Sequence, residues 1–229
     1  MTKVPWQVKG ISDTVVARRT EIDIRADDLD HPAWNEAQPV SIAHLWSGKP
    51  APAERHAEAR IIWSETALAV RFTCRQYEPL VVSHAPQLEQ KTIGLWERDV
   101  CEIFIAPDAR TPENYFEFEV APTGEWIDLG IRHTREGRET DWHYHSAIET
   151  AARIGDDNRI LIALRLEWAA FGNRAAPRAG ERWRANLFRC IGSGETRYLA
   201  WRPTRTAYTV QPNFHVPEAF GWLAFREFE

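Results

Sequence analysis

Apolar and polar residues alternate with a period of two through most of this chain, and that pattern predicts short β-strands in close succession. Residues 59–63 (Ala-Arg-Ile-Ile-Trp) run through the turn-like Ser64-Glu65-Thr66 into Leu68, Val70, Phe72 and Cys74, which alternate with Ala69, Arg71 and Thr73. This is the pattern of a hairpin. The next expected strand, 99–106, ends at Pro107-Asp108, with Cys101, Ile103 and Ile105 on one face and Glu102 and Phe104 on the other. Phe116, Phe118 and Val120 then alternate with Glu117 and Glu119 before the turn Pro122-Thr123-Gly124, and a strand resumes over 125–129. Further strands are expected over 145–154, 159–166, 183–191, 197–201 and 221–228. Only residues 167–172 read as helical, about one turn with Gly172 as its stop. No amphipathic crossover helix is long enough for a βαβ unit. The fold class is therefore all-β, with two packed antiparallel sheets forming a jelly-roll-like β-sandwich in a single domain over 1–229. The longest stretch without periodicity, 76–95, is expected to be a functional loop.

Composition adds one unusual fact, a content of 11 tryptophans. They serve either as large core side chains or as aromatic platforms on a binding face. The net charge of −5 is mixed along the chain, with no Lys/Arg run. That argues against a nucleic-acid surface and against an anionic membrane face. No apolar run has the length of a membrane-spanning helix, and residues 1–10 lack the apolar core of a secretion signal. The expectation is a cytoplasmic protein. Cys74, Cys101 and Cys190 are odd in number and lie in apolar runs, which predicts three buried thiols.

The sharpest local feature is Leu95-Trp96-Glu97-Arg98-Asp99-Val100-Cys101-Glu102. Asp99 and Glu102 are an odd number of residues apart and so point to opposite faces, which weakens a paired-carboxylate glycosidase reading within this strand. Glu102 could still converge with Glu117 or Glu119 from the neighbouring strand. Trp96 with Glu102 also suits a sugar, whose C–H face stacks on a ring while carboxylates take its hydroxyls. Equally, Trp96 serves as a core plug where the strand begins. Arg189 shares strand parity with Ala185 and Leu187. It is either an exposed edge residue or a buried cation, with Glu102 as the expected partner in the second case. Prolines 212 and 217 suggest a stiff loop presenting Phe214 and His215.

The ordered set Trp96-x-x-Asp99-x-x-Glu102, Tyr115 leading to Phe118-Glu119-Val120, Pro122-x-Gly124, Trp183-Arg184-x-Asn186-x-x-Arg189, Trp201 and Pro217-x-x-Phe220-Gly221 resembles family 9 carbohydrate-binding modules and the broader DOMON-like group. His31-Pro32-Ala33-Trp34 is similar to that family's opening segment, and the likeness spans about 22–225. The resemblance implies non-catalytic binding of a mono- or oligosaccharide, often at its reducing end, between two aromatic rings. It places those rings at Trp96 and Phe214, with Glu102 as a polar ligand and Asn186 and Arg189 as further contacts. Where sugar-clamping members carry Trp, this chain has Phe214. The group often holds structural calcium, for which Asp27, Asp28 and Asp30 could supply oxygens; no other cofactor is expected. Two alternatives stay open: a glycoside-processing enzyme using Glu102 and a second carboxylate, and a scaffold that has lost its sugar site.

His143 and His145 flank Tyr144 as a same-face pair on an expected strand, but without a third ligand nearby they are read as exposed or hydrogen-bonded histidines. Met1 is the sole methionine, which argues against a Met/His-ligated haem. No G-x-S-x-G, Walker or dinucleotide glycine pattern occurs.

Overall fold

The computed structural model describes residues 11–194, 196–207, 209 and 211–227. Its strands are β1 (Thr14–Arg19), β2 (Val40–Ile42), β3 (His44–Leu45), β4 (Ala57–Trp63), β5 (Ala67–Arg75), β6 (Val100–Ala106) and β7 (Asn114–Val120). They continue with β8 (Trp126–His133), β9 (Arg138–Asp141), β10 (Glu149–Ile154), β11 (Arg159–Glu167), β12 (Arg182–Cys190), β13 (Tyr198–Ala200) and β14 (Gly221–Arg226). A short helix, α1 (Ala33–Glu36), precedes β2.

The predicted hairpin is β4–β5. Its turn is set by Ser64, whose hydroxyl accepts the amides of Thr66 and Ala67 at 3.2 Å each. The helical segment is a 3-10 turn, Trp168–Phe171, stopped by Gly172 at φ 76°. The strand expected from residue 145 begins only at Glu149. Ser146 is diverted because its amide and hydroxyl both donate to Asp128, and Ala147 is left-handed at φ 54°. His143 and His145 therefore lie in a loop and not on a strand, and the Nδ1 of His145 accepts the amide of Ala147.

Hydrogen bonding connects the strands in the order β10-β11-β5-β4-β1-β14-β12-β6-β7-β8-β9. The two layers of the sandwich are thus one curled sheet. β1 stitches them by pairing in parallel with both β4 and β14, so the sheet is mixed and not purely antiparallel. Between the layers Phe72, Leu164, Ile103, Phe118, Leu187 and Trp183 pack in one core. Cys74 of β5 meets Cys101 of β6 across it at 3.5 Å, and all three cysteines are free and buried. Trp183 packs edge-on against Trp168, Phe171 and Phe225, so several tryptophans serve the core as large apolar fillers. The layer β14-β12-β6-β7-β8 is apolar on its outer face as well, where Phe104, Tyr115, Leu129, Phe188 and Phe220 form a second cluster. That double burial makes room for a site roofed by loops.

Gly221 opens the last strand where two elements crowd it. A Cβ there would stand 2.4 Å from the Trp201 ring and 2.8 Å from the carbonyl of Asp13. Gly221→Ala is expected to cost about 1–3 kcal/mol by overpacking, lowering Tm by roughly 3–10 °C in a thermal melt. An unchanged Tm would contradict this packing.

Candidate functional site

The outer face of β6 and β7 carries the side chains that sequence parity set aside from the core. Glu102 and Phe104 project there from β6, and Tyr115, Glu117 and Glu119 from β7. The register pairs Glu102 with Glu119 and Phe104 with Glu117. Directly opposed residues in a sheet have close Cβ atoms. As a result an oxygen of each of Glu102, Glu117 and Glu119 falls within 4.8 Å of the others, and all three are buried. Sequence reasoning allowed this convergence, and the register brings it about.

These carboxyls form the floor of a cavity of about 330 Å³. Phe104, Leu129 and Ile131 continue the floor, and Cys190, Tyr198, Phe214 and His215 wall it. Trp96 and Trp142 stand together with ring centroids 6.3 Å apart. Trp96 sits on a 3-10 turn, Leu95–Glu97, which follows Gly94 at φ 81° and ends the long loop. That loop is tied down at Lys91, which pairs with Asp128 at 2.6 Å, and at Asp99, which accepts the amide of Val81. Trp142 follows β9 and is 46% exposed. Sequence reading missed it, because β9 (Arg-Glu-Thr-Asp) has no apolar alternation to announce a strand.

Burial dominates the electrostatics. Away from water, and beside the charge of Glu117, the Glu102 carboxyl is pushed up to about 8, and the Cys190 thiol donating to it at 3.2 Å offsets this only in part. Glu117 rises to about 7 by burial, with a hydrogen bond to Glu119 and then Arg138 at the rim pulling the other way. Glu119 lies well above the carboxylate range through burial and the charges of Glu102 and Glu117. Apart from its neighbour Glu117, neither oxygen of Glu119 meets a hydrogen-bond partner from the protein. His215 is held neutral, its value lowered to about 3 by burial first and then by Arg138. Its Nδ1 lies 2.8 Å from the Tyr115 hydroxyl, which also reaches His133 at 3.2 Å.

Of the residues expected at the site, the structure gathers Trp96, Glu102 and Phe214 around this cavity. Phe214 is 9% exposed and lies flat on Phe188 at 4.0 Å, with Tyr198 edge-on. It is a wall braced by the core, and the ring beside Trp96 is Trp142. Asn186 and Arg189 are not among the lining residues. Both are buried, and Asn186 clasps the backbone of Arg202, donating to its carbonyl at 2.8 Å and accepting its amide at 3.0 Å. Arg189 projects through the opposite face of β12, where it donates to the carbonyls of Arg55, His56 and Arg75 and to the side-chain oxygen of Gln76. The expected Arg189–Glu102 pair is thus not formed. In β12 Phe188, not Arg189, lies opposite Glu102, so the two side chains leave the sheet on different sides. At the N-terminal turns Asp27 and Asp28 are exposed, and the Asp30 carboxylate is taken by Arg153 through two contacts of 2.6 Å.

The model of carbohydrate-binding family 9 matches residues 35–225, most of the chain. The chain belongs to carbohydrate-binding family 9. Among solved structures, a Bacteroides uniformis protein superposes with a TM-score of 0.71 at 16% identity, covering 93% of this chain and 99% of its own. A family 9 module from Caldicellulosiruptor kristjanssonii, solved with glucose, gives a TM-score of 0.63 at 14% identity over 94% of this chain and 97% of that one. A module from the same organism with cellotriose gives 0.62 at 13% identity, over 94% and 95%. No curated protein matches the chain. At these identities the structural likeness speaks to the fold, a family 9 β-sandwich. Among the described residues no helix is long and apolar enough to cross a membrane.

Proposed function

We propose that the cavity over β6 and β7 binds one ring of a mono- or oligosaccharide without transforming it. The observation that carries this reading is the combination of a paired-tryptophan mouth, Trp96 with Trp142, and a buried carboxyl floor in one concave site. An aromatic face suits the C–H side of a pyranose, and buried polar groups fix its hydroxyls. Family membership and the glucose and cellotriose complexes of the C. kristjanssonii modules support the same assignment. Because the floor is closed by the sheet, a terminal ring, such as a reducing end, fits better than the middle of a chain.

Hydrolysis by Glu102 with a second carboxyl fits the geometry less well. The three acids lie on adjacent strands of one floor, whereas glycosidase carboxyls flank the bond they cleave. Phe214 is braced flat against Phe188 while still lining the cavity, and Trp142 beside Trp96 supplies a further ring where a site-less scaffold would need none.

Calorimetry or tryptophan fluorescence across a sugar panel tests the proposal. Trp96→Ala is expected to weaken sugar binding about tenfold, the value of one lost aromatic contact, and Trp142→Ala to weaken it less because that ring is the more exposed. An affinity untouched by Trp96→Ala would overturn the reading.

A further inference from the structure

The floor of this cavity is more acidic than a neutral sugar requires. A hydroxyl both donates and accepts, so a site for neutral sugars is well served by a mixture of partners. Here Glu102, Glu117 and Glu119 converge within 4.8 Å, Glu117 and Glu119 share a hydrogen bond, and among the described residues the thiol of Cys190 is the one donor from outside the three acids at hydrogen-bond distance of the cluster. Glu119 is 0% exposed and lines the cavity with neither carboxyl oxygen reaching a donor outside the acid cluster, and Oε2 of Glu117 reaches none either. Among the described residues no buried cation balances them. Arg138 is exposed at the rim, and His215 stands 3.8 Å from Glu117 in a neutral state. Buried carboxylates without a cation are unfavourable, so these acids hold protons when no cation faces them.

We infer that the cavity selects an amino sugar, a hexosamine whose ammonium group is received by Glu102, Glu117 and Glu119. The inference rests on the sugar reading above and specifies its ligand class. An ammonium carries three N–H donors and no acceptor, which matches three carboxyls with an oxygen of each within 4.8 Å of the others. As the ammonium enters, protons leave the carboxyls for the buffer and charge-assisted hydrogen bonds form in their place. A hard divalent cation fits less well. It asks for six to eight oxygen ligands (roughly the number for calcium), and Phe104, Leu129 and Ile131 beside the acids offer none.

Calorimetry on the full chain at neutral pH provides the test, with D-glucosamine, D-glucose, N-acetyl-D-glucosamine and, separately, CaCl2 and MnCl2. Glucosamine is expected to bind at least about tenfold tighter than glucose. Repeating the titration in buffers of different ionisation enthalpy should reveal proton release, and N-acetylglucosamine, which lacks the charge, should show no advantage over glucose. Glu119→Gln should erase the glucosamine preference, and because the variant keeps the volume of the side chain, its melting curve confirms that it is folded. Glucose binding as tightly as glucosamine, or a preference that survives Glu119→Gln, overturns the inference while leaving the sugar reading intact. A metal titration abolished by Glu119→Gln, without any amine preference, overturns it in favour of a cation site. If no sugar binds, both readings fall.

Discussion

Raising the pH from about 6 to about 9 is expected to destabilise this protein by a few kcal/mol, and Glu119→Gln is expected to cancel much of that loss. Glu102, Glu117 and Glu119 are all raised in the folded state, Glu102 from its ordinary 4.5 to about 8 and Glu117 to about 7. A group whose folded value is raised binds more protons folded than unfolded. Its contribution is complete below the unfolded value and is lost as the pH climbs through the folded one. The window therefore runs from about pH 4.5 to about pH 7 for Glu117 and about pH 8 for Glu102, and Glu119 acts in the same sense. His215 acts in the opposite sense. Lowered from its ordinary 6.5 to about 3, it favours the folded state as the pH rises between those values and adds nothing above them. Tyr115 is raised further still by burial and is uncharged throughout the window. A tenfold difference in proton affinity between the folded and unfolded chains is worth about 1.4 kcal/mol, so a few kcal/mol from the cluster amounts to a Tm fall of roughly 10 °C for a chain of this size.

Thermal melts by circular dichroism at several pH values check this, and the comparison of wild type with Glu119→Gln cancels the buried thiols Cys74 and Cys101, which both proteins share, while Cys190 loses the charge of Glu119 that helps to raise it. The variant should melt above wild type at high pH, and by a smaller margin at pH 6. Parallel curves for the two proteins would mean that the three carboxyls do not bear on stability as described.

Much of this arrangement was legible in strand parity. Glu102 and Phe104 against Cys101, Ile103 and Ile105, and Glu117 and Glu119 against Phe116 and Phe118, sort correctly onto two faces because both faces of this layer are anchored by apolar neighbours. Register was not legible. Whether Glu102 meets Glu117 or Glu119 depends on the loop 107–113, and a slip of one residue would have sent the β7 acids to the inter-sheet core. β1 escaped notice because six residues with two buried positions make a weak signal, although its parallel pairing is what joins the two layers. Trp142 was hidden for a related reason: its strand is exposed and polar, so position, not pattern, brings it to Trp96. Arg189 shows the limit of parity by itself. Its parity with Ala185 and Leu187 left burial and edge exposure both open; the structure buries it, and the same rule applied across to β6 places it opposite Cys101 and not on the side of Glu102.

That placement carries the second large effect. Arg189→Met should destabilise the protein by about 3–5 kcal/mol, a substantial share of an ordinary domain's stability. Arg189 is 3% exposed, and its guanidinium nitrogens serve the Arg55 carbonyl at 2.8 Å, the His56 carbonyl at 3.0 Å and the Arg75 carbonyl at 3.3 Å. It also donates to Gln76 Oε1 at 3.2 Å, and the amide nitrogen of the same Gln76 donates to Asp99 at 2.7 Å. Gln76 thus links a buried cation to a buried anion and closes the long loop at both of its ends. Methionine fills similar space but leaves the carbonyls without donors and Asp99 without its distant counter-charge, each a cost of kcal/mol order. Urea melts monitored by tryptophan fluorescence should show the lower midpoint. Arg189→Lys keeps the charge but not the planar fork, so it should recover only part of the loss. The decisive comparison is sugar affinity in Arg189→Lys. With its guanidinium on the far side of β12 from the cavity, this substitution should leave the dissociation constant within about twofold while stability falls. A large loss of affinity in a folded Arg189→Lys protein would place Arg189 back among the ligands of the sugar.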